Sequence, residues 1–317
     1  GNTIYTGGTF TTMTAALTTR NRIAALDTSA NLLAWNPNAN SLVYTIAVSA
    51  DGNTIYVGGT FSTMKTIARN RLAALDANAN LLAWDPSVNG TSTVRALAIS
   101  GTNIYAGGTF TTVGGVTRNR LAAIDLTTGF PTAWDPNANN SVSALAVSGD
   151  GSTIYAGGDF TNVKATARNR LAALDTSANL LAWNPNANGT IGALAVSGDE
   201  SSLYVGGYFS SIGGQPRKNI AEIDITTGLA TTWNPGASAS VLDLATDGAT
   251  VYAGGVFSYT GSTGVTRSNL AALNMLTGEP TAWNPGTDLA VLALTTDGST
   301  LYAGGDFTTV GGIARNR

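Results

Sequence analysis

An all-β fold of repeated four-stranded blades, a β-propeller, is what two periodic marks and one missing period predict for this sequence. The first mark is Tyr-x-Gly-Gly-x-Phe, starting at Tyr5, Tyr56, Tyr105, Tyr155, Tyr204, Tyr252 and Tyr302. The second is Trp-Asn/Asp-Pro, at Trp35, Trp84, Trp134, Trp183, Trp233 and Trp283. Both recur every 48 to 51 residues, and no stretch carries the 3.6-residue spacing of a helix.

The repeat at 142–187 shows the unit. Strand A, 142–148, is a short apolar run with small residues, suited to an inner position. Asp150-Gly151 then marks a hairpin, because this dipeptide tolerates positive φ. Strand B, 153–160, carries Gly157-Gly158, where another backbone or an aromatic must come close or the strand must bulge. A loop at 161–167 leads to strand C, 168–175. A turn at 176–179 leads to strand D, 180–183, which Pro185 ends because proline has no N–H for a ladder. A blade with two apolar faces buries them against its neighbours.

The chain supplies six A strands, seven B strands and six Trp-marked D strands. The first repeat lacks A. The last lacks D and all but the opening of C. Strand A at 289–295 is expected to complete the first repeat and close a six-bladed ring, with seven blades if the chain is a fragment. Residues 1–317 read as a single propeller domain, with repeats starting near 1, 51, 100, 150, 199, 247 and 297, and as a window on a longer chain.

Charged residues make up 11% and the net charge is −3, a surface without the field that binds nucleic acid. No apolar run reaches membrane-spanning length, so no membrane insertion is expected. The chain has no Cys and no His, which removes disulfides, thiol chemistry and the commonest general base.

Val-x-Ala-Leu-Ala-Val-Ser-x-Asp-Gly-x-x-Ile-Tyr-x-Gly-Gly-x-Phe followed by Arg-Asn-Arg-Leu-Ala-Ala-Leu-Asp resembles the delta-60 type of bacterial β-propeller repeat, over essentially the whole chain. It is also similar to kelch repeats, although here the Tyr precedes the glycines. The first resemblance implies an extracellular propeller from a large secreted or surface-attached bacterial protein, with no assigned catalytic residues. Its expected partners are other copies or domains of a surface protein, or an extracellular glycan or protein.

Each recurrent motif has a structural reading. The Gly-Gly pairs precede no helix, so they do not make a phosphate loop. Arg20/Arg22, Arg69/Arg71, Arg118/Arg120, Arg168/Arg170 and Arg315/Arg317 are expected to pair with carboxylates or carbonyls, with Asp27, Asp76, Asp125, Asp175 and Asp224 as counter-charges. The Trp residues read as packing anchors rather than sugar platforms. Asp51, Asp150, Asp247 and Asp297 read as hairpin residues, with calcium the one weakly supported cofactor, since no Asp-x-Asp-x-Asp loop accompanies them.

A site on a symmetric array must be built from exceptions. On strand A the position of Ser143 holds Tyr44 in one repeat and Arg95 in another, and the position of Ala144 holds Asp243. Tyr44, Arg95 and Asp243 are therefore the candidate ligand-binding residues, with Asp243 placed by alternation on the opposite strand face. Asp159 and Asp306 in strand B and Glu222 in strand C are further exceptions. Without His or an acid pair close in sequence, catalysis is not expected, although glycosidase carboxylates need no sequence proximity. Asn89, Asn139 and Asn188 match the glycosylation acceptor pattern on the D–A loops. The B–C loops from Phe10 to Arg20 and from Phe257 to Arg267 are two residues longer than the others, which makes the B–C/D–A rim the place to expect a partner.

Overall fold

The computed structural model describes residues 2–13, 18–260, 264 and 266–315. Every regular element among them is a β-strand, and no helix is long and apolar enough to cross a membrane. The chain forms two compact units, Gly1–Leu145 and Ala146–Arg317, with the boundary inside the strand Val142–Val147. Arg317, paired above with Arg315, lies outside the described residues, as do parts of both longer B–C loops.

Within the first unit, Thr3–Gly7 pairs with Ile23–Asp27, and two complete three-stranded sheets follow. These are Val43–Val48, Thr54–Gly59 and Leu72–Asp76, then Val94–Ser100, Asn103–Gly108 and Leu121–Asp125. In the second unit Thr153–Gly158 pairs with Leu171–Asp175. Sheets of Thr190–Val196, Ser202–Tyr208 and Ile220–Asp224, and of Val241–Thr246, Thr250–Thr260 and Thr266–Asn274, come next. All pairings are antiparallel hairpins, as the Asp-Gly turns and short apolar runs dictate. The B–C connection carries a further two-residue hairpin, such as Thr112–Val113 against Val116–Thr117, where the sequence suggested a plain loop.

The strand Val291–Thr296 pairs with Leu301–Gly305 of its own repeat. The tight turn at Asp297-Gly298 favours this hairpin, because a short loop costs little closure entropy. Strand D also differs from expectation. It touches strand C through single bridges, Leu75↔Leu81 and Leu174↔Leu180 among them. The Leu82 N–H still reaches the Ala74 carbonyl at 2.9 Å, but the Leu82 carbonyl accepts from Arg69 Nη2 at 2.8 Å. A guanidinium has taken the place of the ladder partner.

Neighbouring repeats bury their faces together. One core holds Ile23, Ala25 and Trp35 of the first repeat with Val43, Ile55 and Phe61 of the next. Another joins Tyr204, Ile220 and Trp233 to Val241, Val251 and Phe257. Within each unit a Trp side chain fastens such joints. Its ring meets the Tyr of its own strand B edge-on, at 5.1 Å for Tyr56–Trp84 and 5.2 Å for Tyr204–Trp233. Its indole N–H crosses to the next repeat, from Trp35 to the Asp76 carbonyl at 3.1 Å and from Trp84 to the Asp125 carbonyl at 3.0 Å. The same bond runs from Trp183 to Asp224 and from Trp233 to Asn274, each at 3.0 Å. The packing-anchor reading of these residues therefore has a geometry.

Both glycines of the pair are set by close approach. A Cβ on Gly58 would lie 2.6 Å from Val94 Cγ1 of the next repeat, and one on Gly206 would lie 2.7 Å from Val241 Cγ1. At the second glycine a backbone intervenes: a Cβ on Gly59 would fall 2.0 Å from the Leu42 carbonyl oxygen. That approach accompanies a β-bulge in strand A, where the register steps from Val43↔Gly59 to Thr45↔Gly58 and leaves Tyr44 without an opposite residue. The bulge recurs between Val94 and Ala96, Ile191 and Ala193, Val241 and Asp243, and Val291 and Ala293.

Candidate functional site

The recurring charges are absorbed by the frame, the first arginine of each pattern taking the carbonyl alternative, within its own repeat. Arg20, Arg69, Arg118, Arg168, Arg217 and Arg267 each donate to a strand-D carbonyl of their own repeat. Arg71 Nη1 donates to the Thr60 and Phe61 carbonyls at 2.7 and 2.8 Å, and its Nε to Ser92 of the following repeat at 2.9 Å. The ion pairs go to Asp85 from Arg69, at 3.5 Å, and to Asp135 from Arg118, at 3.9 Å. The strand-C aspartates instead fold their own turns. Asp76 Oδ1 accepts from the Asn78 and Asn80 N–H groups at 2.9 and 2.7 Å, and Oδ2 from Asn80 Nδ2 at 2.8 Å. These bonds, led by the Asn80 amide, hold its carboxyl below the ordinary value.

The A–B turns are similarly self-contained. Asp150 accepts from the Ser148 hydroxyl at 2.5 Å and from the Ser152 N–H at 2.9 Å, and its carboxyl falls to about 2, chiefly through Ser148. Among the described residues no cluster of three or more acidic side chains could hold a metal ion.

Asp243, in the second unit, is half-buried on strand A directly after the bulge residue Leu242. Its Oδ1 accepts the Leu244 N–H at 2.9 Å, and its Oδ2 accepts the Leu294 N–H of the next repeat's inner strand at 2.7 Å. It is a clasp between two repeats. The bulge also breaks the simple alternation on which the sequence reading placed this residue. Burial pushes the Asp243 carboxyl up to about 6, against the two N–H bonds that pull it down. The folded chain therefore holds this proton more tightly than the unfolded one, whose value is the ordinary 3.8. Stability from this residue is lowest above pH 6 and is regained as pH falls through 3.8, by up to ~3 kcal/mol. In urea titrations from pH 7 to pH 4, wild type is expected to gain on Asp243→Asn by that order. Parallel pH profiles for the two would show that the carboxylate is not held as described.

The other exceptional acids have separate partners. Asp159 accepts from Thr190 Oγ1 at 2.5 Å and pairs with Arg170 at 3.5 Å. Glu222 lies opposite Tyr204 in the ladder and accepts from Thr231 Oγ1 at 2.5 Å. Burial, with the Glu222 charge, raises the Tyr204 hydroxyl far above its ordinary value. Asp306 is exposed.

The two remaining candidates belong to the first unit, on neighbouring inner strands. Tyr44 is 54% exposed, and Arg95 is exposed with no hydrogen-bond or ion-pair partner among the described residues. Both are bulge residues of adjacent inner strands.

The sequon asparagines do a job that sequence reading missed. Asn188 Oδ1 accepts the Ser210 and Ser211 N–H groups at 3.0 Å, while its Nδ2 donates to Ser210 Oγ at 2.8 Å. Asn89 makes the corresponding bonds to Thr111 and Thr112. Asn40 does the same with Ser62 and Thr63 although it has no sequon, which would have been the signal that this position staples the D–A loop to the B–C hairpin. Asn139 holds the same place in its repeat. In Asn89 and Asn188 the amide nitrogen donates to a hydroxyl of the B–C hairpin.

Strand order, blade-like sheets and face-to-face burial define a β-propeller. Comparison with known proteins agrees with that class. Residues 6–143 match the profile of a family described as outer membrane protein assembly factor BamB. Residues 202–224 match a domain of unknown function, the DUF5122 beta-propeller. Among solved structures, a chain of the crystal structure of the mitotic checkpoint complex is similar at 17% identity and a TM-score of 0.63. The match covers 89% of this chain and 78% of that one, a likeness of fold. No curated protein matches the sequence.

Proposed function

We propose that this chain is a non-catalytic β-propeller serving as a structural or adhesive module of an extracellular protein, secreted or held at the cell surface. The observation that carries this reading is the use of the exceptional acids: Asp159, Glu222 and Asp243 are each bonded into the frame by different partners. A glycosidase needs two carboxylates left to flank one bond, and an acid that clasps two strands is poorly placed for that work. The near-copied repeats at 69–84 and 168–183, which differ at two turn positions, also suit a wall better than a tailored pocket.

Two assays test the proposal. Incubation with a panel of neutral and acidic polysaccharides is expected to release no product, with or without Asp159→Asn, Glu222→Gln or Asp243→Asn. Turnover abolished by one of these changes would refute it. On intact cells of the source organism, antibody against the folded chain is expected to label without permeabilisation, and labelling that requires permeabilisation would overturn the extracellular reading.

A further inference from the structure

We propose that Tyr44 and Arg95 together form a binding site for a carboxylate-bearing saccharide on the inner strands of the first unit. This is a separate claim from the scaffold role above. Its basis is the bulge. Residue 44 is the extra residue between Val43↔Gly59 and Thr45↔Gly58, and residue 95 is the extra residue between Val94↔Gly108 and Ala96↔Gly107. A bulge residue has no cross-strand neighbour to pack against, so its side chain is released from the ladder and re-aimed.

The two residues stand on adjacent inner strands, each next to a residue whose side chain meets the other strand. The point where a Cβ would stand on Gly58 lies 2.6 Å from Val94 Cγ1 and 2.7 Å from Thr45 Cγ2. The residue before Arg95 and the residue after Tyr44 thus meet over one glycine. Ser143 occupies the same position one repeat further on, and its own neighbour Val142 lies against Gly107. The arc reads aromatic ring, guanidinium, hydroxyl.

Nothing in the frame needs either leading residue. The first arginines of the Arg-Asn-Arg pattern are spent on carbonyls, whereas Arg95 has no partner among the described residues. The Tyr residues of strand B are packed against Trp, whereas Tyr44 stands 54% exposed. A planar guanidinium grips a carboxylate with two parallel bonds. An exposed tyrosine ring offers a flat amphipathic face at little entropic cost, which suits the C–H face of a sugar ring. The adjacent side chains are small, Thr45 and Ala96, and give a peptide no pocket for its anchors.

Calorimetric titration of the full chain with a glucuronate-bearing oligosaccharide, and with the counterpart carrying glucose in its place, tests the site. The neutral sugar is expected to bind at least ten-fold more weakly. Arg95→Gln and Tyr44→Ala should each lose ten-fold or more, while Tyr44→Trp retains affinity. Both positions are exposed, so thermal midpoints should match wild type and separate lost binding from lost folding. No heat at millimolar acidic sugar, or affinity unchanged in both variants, would overturn the proposal. So would binding of an acidic peptide with the same residue dependence and no binding of the sugar.

Discussion

A methyl placed at Gly108 is expected to cost ~3 kcal/mol or more, because its Cβ would fall 2.0 Å from the Thr93 carbonyl oxygen. The obstacle is backbone held by the strand-A bulge, so no side-chain rotation relieves it. Gly304→Ala is the control for an uncrowded glycine. It is the first glycine of the pair, the counterpart of Gly107, and nothing lies within 4 Å of its Cβ position among the described residues. Its replacement should change stability by less than ~0.5 kcal/mol, or help slightly through the unfolded chain. Urea midpoints at unchanged slope measure both. Equal losses at the two positions would mean that the glycines answer to strand conformation, and that close approach has no part in them.

Removing Trp233 is expected to cost about 3–5 kcal/mol. The side chain is 2% exposed, lies edge-on to Tyr204 at 5.2 Å, and donates to the Asn274 carbonyl at 3.0 Å. Trp233→Ala therefore opens a cavity and strands a carbonyl in one step. Trp233→Phe should recover part of the loss, leaving about 1 kcal/mol or more for the missing N–H, alongside the smaller ring. Trp283 is 41% exposed, so the same truncation there should cost distinctly less. Thermal or urea unfolding of the three variants decides the matter. A loss at position 283 equal to that at position 233 would contradict the burial argument.

Much of the frame is legible in the sequence because it is written locally. The Asp-Gly turns, the Tyr-x-Gly-Gly strand and the Trp-Asn/Asp-Pro stop each act within a few residues, and the period makes them unmistakable. What escapes is non-local or carries no residue signature. A bulge inserts one residue without marking it, so the register step beside Tyr44, Arg95 and Asp243 came as a finding. That the first arginines would meet carboxylates or carbonyls could be read, but which carbonyl could not, because the carbonyls of Leu82 or Leu181 have no letter. Asp243 showed itself as an exception, but its second partner sits fifty-one residues on, in another inner strand. The split of the chain into two units likewise has no mark in a pattern that runs unbroken through residue 145.

The indole bond from Trp to a carbonyl forty-one residues later has an evolutionary consequence. A complete repeat carries both halves of the joint, a donor that reaches forward and an acceptor that receives from behind. A gene duplication of one whole period therefore delivers a segment that fits its neighbours at once, with no compensating mutation. An insertion of any other length separates donor from acceptor at the point of entry. Selection on such a chain favours exchange of complete units, and copies as alike as 69–84 and 168–183 are what that mode of growth leaves behind.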